Sequence, residues 1–107
     1  MGAAGEHQAA AWYVAQGYEV LTRNWRCREG ELDLVLRRGR TVVFCEVKSR
    51  SSVAFGLPAE AVTPVKQQRL RRLALTWLQE SGTRYDGLRF DVASVLAGEL
   101  SVIEAAF

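Results

Sequence analysis

Val42-Val43-Phe44-Cys45-Glu46-Val47-Lys48-Ser49-Arg50 (VVFCEVKSR) begins as an apolar strand, then places a carboxylate, an ammonium and a guanidinium at every second position. Strand side chains alternate, so Val43, Cys45 and Val47 share one face, while Phe44, Glu46, Lys48 and Arg50 share the other. Charges beside a core are costly unless they are paired, hydrogen-bonded or held by a metal. Their partners must come from neighbouring segments, and locating them decides the fold.

Upstream, Glu31-Leu32-Asp33-Leu34-Val35-Leu36 alternates as a second strand, and Arg38-Gly39 reads as the turn of a hairpin. With those two residues as the turn, Arg37 pairs with Arg40, Asp33 with Phe44 and Glu31 with Glu46. Glu46 is then a diagonal neighbour of Asp33, about 7–8 Å away on the same face. The other face gathers Leu32, Leu34, Leu36, Val43, Cys45 and Val47. A slip of one residue would move Asp33 to the wrong face.

The remaining chain supplies the layers. A helix is expected from about Gly5 to Gln16, ended by Gly17, with Ala9, Ala10, Tyr13 and Val14 as its apolar stripe and Glu6 one turn before Ala10. Gly17-Tyr18-Glu19-Val20-Leu21 then opens a strand that reaches Trp25 or Arg26. Ser51 to Ala61, around Phe55-Gly56-Leu57-Pro58, reads as a loop. Thr63-Pro64 then reads as the N-cap and first residue of a long helix. Its stripe is Leu70, Leu73, Ala74, Trp77 and Leu78, and Gly82 closes it. Leu88–Val95 and Leu100–Ile103 are further strands, separated by a turn at Gly98. The order α-β-β-β-α-β-β predicts an α/β fold with a mixed central sheet flanked by helices, because a strand after the long helix can pair parallel to one before it.

Composition bounds the function classes. The 107 residues suit one domain spanning 1–107, and 49% hydrophobic with 24% charged residues excludes a disordered chain. Net charge is only +2, but Arg23 to Arg50 holds eight basic residues against four acidic, and Lys66 to Arg72 holds four basic and none acidic. Such patches suit nucleic acid or a solvated surface. No stretch approaches the ~20 apolar residues of a membrane span. The N-terminus lacks the basic start and apolar run of a signal peptide, so a reducing, cytoplasmic setting is expected. One histidine, His7, and two cysteines without ligand spacing, Cys27 and Cys45, argue against zinc. Trp12, Trp25 and Trp77 read as core or interface anchors.

Two or three carboxylates crowded on one face repel and call for a cation. Mg²⁺ fits, being a hard ion that takes oxygen ligands and keeps several waters. It can acidify a bound water and steady a phosphoryl oxygen, and an adjacent lysine can orient or activate that water. Those are the parts of metal-assisted phosphodiester hydrolysis. The bland alternative is a solvated Glu-x-Lys ion pair. On the long helix, Lys66, Arg69 and Arg72 fall at i, i+3 and i+6 with Arg71 nearby; this is a phosphate-contacting surface or an ordinary wet face. Gln67 could reach the carboxylates or do nothing, and Arg50 could touch a phosphate or simply extend into water.

GEHQAAAWYVAQGYEVLTRNWR, GELDLVL, VVFCEVKSR, FGLPAEAV and RFDVASV occur in the order seen in the small bacterial YraN-type family, which the chain resembles from about Gly5 to Val95. That family is similar to the restriction-endonuclease-like (PD-D/ExK) superfamily and to archaeal Holliday-junction resolvases. The resemblance implies a metal-dependent DNA endonuclease acting on structured or branched DNA. It places the first-helix carboxylate at Glu6, the strand aspartate at Asp33, the glutamate at Glu46 and the lysine at Lys48. Asp33, Glu46 and Glu6 would hold Mg²⁺ or Mn²⁺, and Lys48 would assist the attacking water. Leu32 stands where the superfamily often has proline, and Cys45 where the family often has valine. Resolvase-like chemistry is compatible with a homodimer, since two strands are cut by two equivalent sites. The alternative is a non-catalytic nucleic-acid-binding module; a structural partner in DNA uptake or repair is a third reading.

Overall fold

Ala9 and Ala10, followed one turn later by Tyr13, form a narrow helix face whose small side chains permit close approach to a sheet. In the computed structural model all three are buried. The structure describes residues 2–50 and 62–107, with side chains within 4–49 and 62–107. The expected loop at Ser51–Ala61 and the side chain of Arg50 lie outside the described residues. The elements are α1 (Gly2–Ala15), β1 (Glu19–Cys27), β2 (Gly30–Arg38), β3 (Thr41–Arg50), α2 (Pro64–Ser81), β4 (Gly87–Leu96) and β5 (Glu99–Ile103).

The strands form one sheet in the order β1-β2-β3-β4-β5. All neighbours are antiparallel except β3 and β4, which run parallel on either side of the α2 crossover. This is the expected α/β architecture with a mixed sheet. α2 begins where Thr63 caps it, its Oγ1 accepting the Lys66 N–H at 3.2 Å, with Pro64 at the start and Gly82 in a left-handed cap at φ +68°.

Each helix covers one face. Leu70, Leu73, Ala74, Trp77 and Leu78 of α2 pack on Val35, Val42, Phe44, Phe90 and Val92. Ala9, Ala10 and Tyr13 of α1 pack on Leu34, Leu36, Val43, Cys45 and Ala93. Trp77 is buried, and Trp12 and Trp25 are half-buried against these clusters, in keeping with their reading as core anchors. Val14, expected in the α1 stripe, is 55% exposed, because Tyr13 takes the last sheet-facing position before Gly17 turns the chain into β1.

The hairpin register differs from the expectation by two. Arg38 pairs with Thr41 and Leu34 with Cys45, so the turn is Gly39-Arg40. Gly39 has φ +62°, the left-handed backbone that the first central residue of a two-residue hairpin turn requires. Because the slip is two residues rather than one, it leaves Asp33 and Glu46 on a common face. Continued by one pair, the register sets Asp33 level with Glu46 rather than diagonal to it, and no longer sets Glu31 opposite Glu46.

A second departure concerns Leu32. It was expected beside Leu34 and Leu36, but it packs with the α2 cluster, while Leu34 and Leu36 pack with α1. The alternation of β2 therefore breaks at Asp33. Across from the break, Asn24 of β1 has φ +51°, a conformation asparagine tolerates better than most residues. The β2–β3 ladder stops at Leu34–Cys45, whereas β3 stays paired with β4 as far as Arg50–Leu96. Asp33 thus stands where two strands part.

Candidate active site

The Asp33 carboxylate fills the place of the lost ladder: its Oδ2 accepts the Val47 N–H at 2.8 Å. Asp33 and Glu46 line one small cavity of about 10 Å³ together with Leu32, Phe44, Cys45, Leu70 and Phe90. The apolar lining explains the electrostatics. Burial first, and the charge of Glu46 second, push the Asp33 carboxyl up to about 7 from its usual 3.8; the Val47 N–H opposes this, and Glu31 and Glu6 add to it.

Glu46 is balanced by two lysines. Lys48 Nζ is 3.6 Å and Lys66 Nζ 3.2 Å from the same oxygen, Oε1, and the Glu46 side chain is only 11% exposed. Burial, then the hydrogen bond and charge of Lys66, lower the Lys48 pKa against the opposing pull of Glu46. Burial also acts to lower Lys66, but its hydrogen bond with Lys48 and the charge of Glu46 prevail and raise it. Lys48 is thus held below the ordinary lysine range and Lys66 above it.

The sheet end collects these groups from several elements. β2 contributes Asp33, β3 contributes Glu46 and Lys48, and the first turn of α2 contributes Lys66. Buried Glu6 of α1 is close enough to act on Asp33 through its charge. Among the described residues, no group of three His, Cys, Asp or Glu side chains is placed to hold one ion. Asp33 and Glu46 thus form a two-carboxylate set with Glu6 as a nearby charge rather than a third ready ligand. The oxygen donors fit Mg²⁺ or Mn²⁺, which leave further positions to water and substrate.

A buried aspartate elsewhere provides the contrast. Asp91 accepts hydrogen bonds from Tyr13 Oη at 2.6 Å, Arg89 Nε and Nη2 at 2.9 Å each, and Ala105 N–H at 3.0 Å. It is saturated and ties α1, β4 and the C-terminal segment together. Asp33 accepts one backbone N–H and faces another carboxylate. The first arrangement is structural; the second invites a cation.

The comparison with family models places residues 5–95 in the family described as Uncharacterised protein family UPF0102. The chain belongs to the UPF0102 family. Named UPF0102 proteins are similar over most of its length. One from Beutenbergia cavernae is 57% identical over 96 residues, covering 90% of this chain and 81% of that protein. One from Nocardia farcinica is 54% identical over 96 residues, covering 90% and 76%. One from Acidothermus cellulolyticus is 49% identical over 106 residues, covering 90% and 80%. The YraN-type resemblance read from the sequence blocks is thereby borne out.

In this UPF0102 chain the expected phosphate-contacting residues separate into groups. Arg69 and Arg72 are exposed on α2, and Arg72 borders an open groove of about 280 Å³ with Glu29, Leu73, Leu75 and Thr76. Arg71 is instead stacked over Phe90 and Phe107, at 4.9 and 5.4 Å from the ring centres. Gln67 donates from Nε2 to the Val62 carbonyl at 3.1 Å, fastening the entry to α2. Lys66, expected on the outer helix face, turns onto Glu46 and belongs to the site itself. Its signal in the sequence was a lysine in a first helical turn that holds no acid, where the helix dipole disfavours a cation.

Proposed function

We propose that this chain is a divalent-metal-dependent DNA endonuclease that hydrolyses phosphodiester bonds, with structured or branched DNA as its substrate class. The observation that carries the reading is the pairing of Asp33 and Glu46 in one small cavity, with the Lys48 ammonium 3.6 Å from Glu46. Burial and the charge of Glu46 penalise the ionised form of Asp33, which carries no ion pair of its own among the described residues, and a lysine with lowered pKa stands beside Glu46.

Asp33 and Glu46 would hold Mg²⁺ or Mn²⁺. Such an ion, when bound, supplies a more acidic water and stabilises charge on a phosphoryl oxygen. Lys48 is placed to take the proton of the attacking water or to face the developing phosphate charge. Glu6 deepens the negative potential from the α1 side. Arg69 and Arg72 offer an exposed cationic surface on the same helix that brings Lys66 to the site, suited to the DNA backbone. No described helix is long and apolar enough to cross a membrane. A cytoplasmic setting, where DNA is at hand and Cys27 and Cys45 stay free, agrees with this reading. Paired cuts in a branched substrate would use two copies of the chain.

Labelled four-way junctions, flaps and linear duplex incubated with the protein in Mg²⁺, Mn²⁺ or EDTA test the proposal. Cleavage that needs the metal and disappears in Asp33→Ala supports it. Tight binding of the same DNAs without cleavage in any metal would replace the enzyme with a nucleic-acid-binding module.

A further inference from the structure

A lysine occupies the third position of α2, where the helix dipole opposes positive charge and where Glu or Gln would complete a capping box with Thr63. The chain breaks this local rule with no acidic residue in the turn to compensate. Residues that break a local rule tend to mark functional sites. What Lys66 gains is Glu46: its ammonium is 3.2 Å from Oε1, closer than that of Lys48 at 3.6 Å, with both lysine side chains less than one-third exposed.

The geometry points to Lys66 as a positioning residue that acts as the resident counter-ion of the Asp33–Glu46 pair and competes with the divalent cation for Glu46. This inference rests on the reading of Asp33 and Glu46 as ion ligands. A carboxylate oxygen shared between two ammonium groups is a poor ligand until one of them lets go. Lys66 is the one free to leave, because it enters from a helix on its own side chain, whereas Lys48 is fixed on the same strand two residues from Glu46. Without the ion, Lys66 relieves the repulsion between the carboxylates. With the ion in place, Lys66 is released toward the phosphate backbone that Arg69 and Arg72 flank.

Removing this charge has opposite effects on the two states. The metal-free protein loses a counter-ion and is destabilised. The ion meets one positive charge fewer and binds more tightly, by about tenfold for a unit charge a few ångströms from a divalent ion in a solvent-screened site.

The test uses the full chain stripped with EDTA, with Mn²⁺ alone as the probe, and compares wild type, Lys66→Met, Lys66→Arg and Glu46→Gln. Calorimetric or EPR titration should give a Mn²⁺ Kd about tenfold lower in Lys66→Met and within about threefold of wild type in Lys66→Arg. In EDTA, Lys66→Met should melt below wild type, and that deficit should vanish when Glu46→Gln is already present. Unchanged or weaker Mn²⁺ binding in Lys66→Met, or a melting deficit that persists without Glu46, overturns the inference while leaving the ion site standing. Wild-type protein that binds no Mn²⁺ in a Glu46-dependent way overturns the ion site itself, and this inference with it.

Discussion

Asp33→Asn should make the metal-free protein more stable in mild alkali, because the site holds a carboxylate that the fold would rather keep neutral. Burial and Glu46 raise the Asp33 carboxyl to about 7 from 3.8. The folded state therefore holds the proton more tightly than the unfolded chain does. The stability this contributes is fully present below about pH 4, declines as the pH rises, and is lost above about 7. The gap is worth roughly 4 kcal/mol at 1.36 kcal/mol per pKa unit, and discounting by half for solvent screening of a half-buried group leaves about 2 kcal/mol. Asparagine keeps an oxygen for the Val47 N–H, so that bond is retained. Thermal melts of both proteins in EDTA should differ little near pH 4 and by about 8 °C at pH 8, with Asp33→Asn the higher. Taking the difference between the two proteins cancels the other titrating groups. An Asp33→Asn protein no more stable than wild type at pH 8, or a difference that ignores pH, would refute the electrostatic account of the site.

Addition of Mg²⁺ at pH 8 should raise the melting temperature of wild type and leave Asp33→Asn unmoved, since only the former has the carboxylate pair to neutralise; equal shifts would place the ion elsewhere. Asp91→Asn should cost about 3 kcal/mol in urea unfolding, because it strands Arg89 beside a half-lost hydrogen-bond set, and a cost below about 1 kcal/mol would contradict its structural role. Gly30→Ala should lose about 1–3 kcal/mol by the same measurement: Gly30 has φ +153°, and a Cβ there would stand 3.3 Å from Leu73 Cδ1. Iodoacetamide at pH 8 should label half-exposed Cys27 and spare Cys45 until denaturant is added, since burial pushes the Cys45 thiol up to about 12; prompt labelling of Cys45 would show that α1 opens.

The parts of this fold legible in the sequence are those with a strong local period or a punctuating residue. Thr63-Pro64 and Gly82 bound α2, and its leucine stripe lands in the core residue for residue. The hairpin was recognisable from Arg38-Gly39, but glycine's place at the first central position of the turn moves the turn to Gly39-Arg40. The face of Asp33 survived because moving a turn by one residue shifts pairing by two. The switch of Leu32 to the α2 layer was hidden, since it follows from the left-handed Asn24 and the parting of β2 from β3, neither of which has a periodic signature. Helical spacing alone puts Lys66 on an outer face; its contact with Glu46 depends on how α2 sits over the end of β3. Asp91 read as one more strand residue, because its partners Tyr13 and Ala105 lie 78 and 14 positions away.

The central claim is that Asp33, Glu46 and Lys48 hydrolyse DNA with a divalent ion. The rate at which wild type and Glu46→Gln cut a 5′-labelled four-way junction in Mg²⁺ tests it most directly, with both proteins first shown by circular dichroism to be folded. Cutting by wild type that falls at least about a hundredfold in Glu46→Gln is the predicted result. Equal rates in the two proteins, or no cutting by wild type in Mg²⁺ or Mn²⁺, would contradict it.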